Sequence, residues 1–188
     1  MIRELTEGIK GTLVKAGVIG EIATSESIWT NAERKVFDAA VIAHKGTGAP
    51  ISTHTSLGTL GQEQADYFLK QKVDPAKVII GHLDLTGDVD YVLRILNQGF
   101  YVEFDTVGKE SYMPDQTRAE MIKEIEKRGL IDRVCLSMDI TRKSHLKANG
   151  GIGYAYLLDT FIPLLRKNGI GEVSIQRMLV HNPMQFYQ

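Results

Sequence analysis

Apolar residues along the chain fall in short, nearly continuous runs separated by longer amphipathic stretches. Five runs read as strands: Gly17–Ile22, Pro50–Thr55, Lys77–His82, Phe100–Asp105 and Arg133–Asp139, with cores GVIGEI, ISTH, VIIGH, YVEFD and VCLSMD. They do not alternate as strands with one wet face would. Continuous apolar strands are what a parallel sheet covered by helices requires. The stretches between them carry helix punctuation. Thr30 with Glu33 reads as a capping box ahead of Val36, Ala39, Ala40 and Ala43, with Gly46 as the stop. A second helix covers about Gly61 to Lys72 and ends at Asp74 and Pro75. Asp88 caps a third, with Val89, Val92, Leu93 and Leu96 on one face and Gly99 closing it. Thr117 with Glu120 reads as another capping box, before Met121, Ile122 and Ile125. Tyr154–Lys167 reads as a helix bent at Pro163, Val173–Val180 as a short one, and Asn182 with Pro183 as a final turn.

Strand, helix, strand in one direction, repeated, means right-handed crossovers and an α/β fold. Two outcomes are common: a doubly wound sheet and a closed eight-stranded barrel. Polar residues at successive strand ends are spaced by 33 (Glu21 to His54), 28 (to His82), 23 (to Asp105) and 34 (to Asp139), one βα unit each. No G-x-G-x-x-G follows the first strand, which weakens the dinucleotide-binding version of the doubly wound fold. The 188 residues read as one domain.

Composition narrows the function. Basic and acidic residues balance, 22 against 23, and no Lys/Arg block is present, so nucleic acid is a poor partner. One cysteine, Cys135, forms no internal disulfide and suits a reducing, cytoplasmic compartment. No apolar run approaches the roughly 18 residues that span a bilayer, and MIRELTEGIK is too charged for a secretory signal. A small-molecule substrate is the expected partner.

In a barrel, functional groups sit at the C-terminal ends of strands. Here those ends present Glu21, His54, His82 and Asp139, with Asp105 on the fourth strand. Imidazoles and carboxylates suit zinc or a similar divalent ion. A lone strand-end histidine is more often a hydrogen-bonded loop residue, but four ligand-type groups at four strand ends are harder to assign to loops.

The segments KAGVIGEIATSE, PISTHTS, VIIGHLD and LSMDITRKSHLKANGG resemble the phosphotriesterase-like metal hydrolases of the amidohydrolase superfamily, and within them the phosphotriesterase-homology branch. The resemblance runs from near Glu7 to Gln188 and implies a TIM-type (β/α)8 barrel with two divalent metals, zinc first and manganese or cobalt as alternatives. By position, it implies that Glu21 bridges the metals, that His54 and His82 hold one of them, and that Asp139 binds the other and takes the proton from the attacking hydroxide. The implied reaction is hydrolysis of an ester-type bond in a phosphotriester, carboxylic ester or lactone. The family's first strand carries an H-x-H pair. This sequence has none; its histidines are His44, His54, His82, His145 and His181. The five strands then correspond to barrel strands four to eight, and the expectation is a partial barrel lacking strands one to three. An inactive fragment holding one metal or none, self-associating through open sheet edges, is the competing expectation.

Other polar residues invite a role. Arg142, Lys143, His145, Lys147 and Asn149 follow the fifth strand on a glycine-rich loop and suit an anionic substrate, against a plain solvated loop. Asp105, Lys109 and Arg142 are the candidate substrate residues. Asp84 reads as a group orienting a ligand from behind. Cys135 and Trp29 read as packing.

Overall fold

The computed structural model describes residues 1–188. Five parallel strands form one sheet: β1 (Ile19–Thr24), β2 (Ile51–Thr55), β3 (Val78–Gly81), β4 (Tyr101–Phe104) and β5 (Val134–Leu136). Their spatial order is β1-β2-β3-β4-β5, the same as along the chain. A doubly wound sheet reverses direction at a switch point. This one never does, so the winding is that of a barrel wall. β1 and β5 are its two edges.

Helices follow the strands: α2 (Asn31–Thr47) after β1, α3 (Gly61–Lys70) after β2, α4 (Val89–Asn97) after β3 and α5 (Asp115–Lys127) after β4, with a short α1 (Ile2–Thr6) leading in. The Thr30–Glu33 capping box is formed in both directions, and Asp88 accepts the Tyr91 N–H. The second expected capping box is not formed. Pro114 occupies the N-cap of α5, so Thr117 lies in the first turn. The Asp115 carboxylate is taken by the Gly108 N–H and by Arg118 instead.

After β5 the chain forms α6 (Ile162–Lys167), α7 (Glu172–Gln176) and α8 (Asn182–Phe186). The expected bend at Pro163 is a π turn over Leu157–Phe161, and a second over Arg177–His181 precedes Pro183. Each proline lacks the N–H that would reach back four residues, and widening the preceding turn accommodates the lost bond.

One face of the sheet packs under the helices. Ile51, Ile80, Val102, Phe104 and Val134 join Phe37, Phe68 and Ile122 in one buried cluster. Trp29 packs edge-on against Phe37, with centroids 4.7 Å apart, so its role is packing as expected. On the opposite face Ile79, Tyr101 and Cys135 are sealed by Phe186. Asn182 holds that seal down: its buried amide donates to Ile131 O at 2.8 Å and Val134 O at 2.7 Å. Asn182→Ala removes the Asn182 partner of Val134 O, while Ile131 O keeps the Val134 N–H, and an expected loss of about 1–3 kcal/mol follows for the one buried group left unsatisfied. Thermal denaturation measures it, and a midpoint equal to wild type would refute the role. No helix is long and apolar enough to cross a membrane.

Candidate metal centre

The alternation of β2 selects the site residue. Ile51, Thr53 and Thr55 are buried toward the helices, so His54 points to the opposite face. Thr53 and Thr55 use their hydroxyls on the Ile79 and Gly81 carbonyls of β3, tying the two strands together beneath the site. Glu21 arrives from β1, where the register to β2 is irregular between Ile19 and Ile22. His82 is the first residue past β3. Its φ of 60° is left-handed, a conformation that a bulky side chain holds only where its surroundings enforce it.

Three side chains converge. His54 Nδ1 lies 3.1 Å from Glu21 Oε1, His82 Nε2 lies 2.8 Å from His54 Nδ1, and His82 Nε2 lies 3.5 Å from Glu21 Oε1. The rings meet edge to face, 4.4 Å between centroids. His82 is nearly enclosed at 8% exposure, His54 is a third exposed, and Glu21 is half exposed and open to solvent. Two imidazole nitrogens and a carboxylate oxygen are a suitable donor set for zinc. Ligands at about 2.0–2.1 Å in a tetrahedron stand roughly 3.3 Å apart, close to these spacings. The residues present therefore fit one divalent ion.

Asp105 stands behind His82. Its Oδ1 accepts from His82 Nδ1 at 2.7 Å, and both oxygens accept the His82 backbone N–H at 3.1 Å. This fixes the ring and aims Nε2 at the cluster, as carboxylates behind metal-bound histidines do. Electrostatics follow from contact. The hydrogen bond from His54, then that from His82, holds the Glu21 carboxyl down at about 2. Burial disfavours the charged His82 imidazole, but its bonds to Asp105 and Glu21 win and raise it to about 10. Burial pushes Asp105 up to about 6, with the His82 bond pulling the other way. Glu103, two residues before Asp105 on the same face, is raised to about 8 by burial and by the neighbouring Asp105 charge.

Asp139 is not in the three-residue cluster. Its carboxylate is ion-paired with Lys109, and its φ of 43° also lies in the left-handed region. β5 stops at Leu136 rather than reaching Asp139, with one further backbone bond from Ser137 N to Phe104 O. Beyond it Lys109, Tyr112, Asp139, Arg142 and His145 line a polar cleft of about 530 Å³. Asp105, expected among the substrate residues, does not line this cleft; it is buried and committed to His82.

Two polar features escaped the sequence reading. Glu103 carried a signal: two residues before Asp105 in a strand, it had to share that residue's face. Arg118 carried another, because it falls on the apolar stripe of α5 with Ile122 and Ile125, and it is fully buried. Asp84 is buried too, but it bonds Arg118 and Thr106 rather than a cluster residue.

A sequentially wound α/β barrel wall with a His–His–carboxylate cluster at its strand ends defines a barrel-type protein with a candidate metal centre. The chain belongs to the phosphotriesterase family, whose model matches residues 1–187. It is 53% identical over 188 residues to the phosphotriesterase homology protein of Escherichia coli, covering all of this chain and 64% of that one. It is 34% identical to an aryldialkylphosphatase of Saccharolobus solfataricus, covering 99% of this chain and 62% of the relative. The crystal structure of the Escherichia coli protein, with phosphate in its active site, superposes with a TM-score of 0.97 over the whole chain and 65% of that structure. A lactonase from Listeria monocytogenes, 28% identical, superposes with a TM-score of 0.93 over the whole chain and 58% of its own length. The chain thus spans about three-fifths of these relatives, and the five-stranded wall is a partial barrel beside their structures.

Proposed function

We propose that this chain carries the metal-binding wall of a divalent-metal-dependent hydrolase acting on ester-type bonds: phosphotriester, carboxylic ester or lactone. The observation that carries the reading is the convergence of Glu21, His54 and His82 donor atoms within 4.8 Å. Glu21, His54 and His82 hold the ion, zinc by preference with manganese or cobalt as alternatives, and Asp105 orients His82. Bound there, the ion supplies a Lewis acid and a hydroxide near neutral pH. Asp139 accepts the proton of the attacking hydroxide once Lys109 releases its carboxylate. Arg142 and Lys109 present positive charge to an anionic substituent of the substrate across the cleft. An aryldialkylphosphatase and a lactonase among the relatives support ester-type chemistry through their names, and the N-acetyltaurine hydrolase of Homo sapiens, 31% identical and named for an amide, supports a hydrolase. We place the protein in the cytoplasm, as one domain over residues 1–188.

A second reading has its own support. Three donors and no H-x-H motif make one ion the natural capacity of these residues, and the β1 edge suits self-association of an inactive fragment. Chromogenic esters and lactones with added Zn²⁺ or Mn²⁺, alongside metal analysis and light scattering, separate the two. Turnover is expected, with Asp139→Asn slower by about 10²–10⁴-fold, the usual worth of a positioned acid or base. Equal rates for Asp139→Asn and wild type would remove Asp139 from the mechanism. No turnover, with one ion or none bound and large assemblies in solution, would favour the fragment.

A further inference from the structure

Arg118 is the largest fully buried side chain of the molecule, and nothing in the metal-centre reading uses it. Its guanidinium reaches the loop after β3, the loop between β4 and α5, and the first residue of its own helix. Nε donates to Asp84 Oδ2 at 2.7 Å, Nη2 donates to Thr106 Oγ1 at 2.7 Å, and Nη1 donates to Asp115 Oδ1 at 2.8 Å and Met113 O at 2.5 Å. The Thr106 hydroxyl in turn donates to Asp84 Oδ2. Asp115 also accepts the Gly108 N–H at 3.0 Å and the Tyr156 hydroxyl at 3.1 Å.

The places these bonds land are informative. Asp84 is two residues past His82. Thr106 directly follows Asp105, which orients His82. Gly108 directly precedes Lys109, which pairs with Asp139. His82 keeps left-handed backbone, so the turn behind it must be held from outside. A lysine at this position supplies one point charge, whereas the planar fork spans both loops at once.

We propose that Arg118 is a positioning residue whose buried guanidinium sets the loops presenting His82 and Lys109 to the site; the proposal rests on the metal-centre reading above. A purely structural role predicts lost stability in Arg118 variants and an unchanged site in whatever remains folded. Positioning predicts a changed site in a folded variant.

The test uses the whole chain labelled with ¹⁵N-histidine. The His82 Nδ1 proton, hydrogen-bonded to Asp105, is followed by NMR without metal, and Co²⁺ alone is then titrated and read by its visible absorption. Arg118→Lys is expected to keep its far-UV circular dichroism, shift or broaden the His82 resonance, and weaken Co²⁺ binding about 10–100-fold, the usual cost of losing a group behind a metal ligand. Thr106→Val removes one link of the same network with little change of volume and is expected to act in the same direction by several-fold; it decides the matter if Arg118→Lys does not fold. A folded variant with the wild-type His82 resonance and wild-type Co²⁺ affinity overturns the proposal. If the wild-type chain binds no Co²⁺, the metal-centre reading fails, and the His82 resonance alone decides on Arg118.

Discussion

In excess Zn²⁺ the thermal midpoint of the chain rises by about 5–10 °C, and His82→Ala abolishes the rise. An ion at about 100 times its Kd adds about 2.7 kcal/mol. A protein of this size gains about 2–4 °C per kcal/mol. His82→Ala removes the most enclosed of the three donors and leaves two on a half-open surface. It also lowers the metal-free midpoint, because Asp105 stays buried without its partner, at an expected cost of about 3–5 kcal/mol. The pH dependence has a definite sign. The folded-state pKa of His82 is raised from 6.5 to about 10. Its stabilisation is therefore complete below 6.5 and declines as pH rises toward 10. Glu21 is lowered to about 2, so its contribution is present above 4.5, is lost only as pH falls through 2, and stays constant across the neutral range. The metal-free midpoint should fall as pH rises from about 6.5 toward 10. The ion competes with the His82 proton, so Zn²⁺ affinity should rise over the same interval, approaching tenfold per pH unit. Thermal scans in chelator and in Zn²⁺ at several pH values check both slopes. Equal Zn²⁺ shifts in wild type and His82→Ala would remove His82 from the centre.

The five strands were legible because each is a continuous apolar run, and the winding followed from one repeated βα unit. His54 and His82 stood out not singly but because they share successive strand ends with Glu21 and Asp139, a set of ligand-type groups harder to assign to loops than one histidine. The sequence did not reveal what each carboxylate is bonded to. Asp105 and Asp139 look alike in the text, each an acid at the end of an apolar run. The first is buried against His82 and the second is paired with Lys109. That difference depends on where the loop from Thr106 to Lys109 runs, and the loop is held by Arg118 and Asp115, residues of the next helix. The false capping box has the same origin. Pro114 starts α5 early, and Asp115 is drawn into the buried network, so Thr117 has no N-terminus left to cap.

Gly81→Ala should damage the centre although residue 81 donates nothing to it. A Cβ on Gly81 would stand 2.6 Å from the Thr53 carbonyl oxygen and 3.1 Å from Asp105 Oδ2. The first is backbone of β2, which no rotamer change can move; the second is the carboxylate that aims His82. Gly20 makes the matching approach from the other side, where a Cβ would meet Ser52 O at 2.3 Å. β2 is thus flanked by side-chain-free neighbours, and the resulting close spacing lets His54 face both Glu21 and His82. Forcing a methyl between β2 and β3 costs about 1–3 kcal/mol by overpacking, which lowers the midpoint by about 2–12 °C. It also separates His54 from His82, so Zn²⁺ should stabilise Gly81→Ala by less than half of the wild-type shift. Gly46→Ala is the control. It lies in α2 with only Ile2 Cδ1 near, at 3.9 Å, and a helical alanine there should be neutral or stabilising by about 0.4–1 kcal/mol. If the two alanines behave alike in calorimetry with and without Zn²⁺, strand spacing is not what brings the three ligands together.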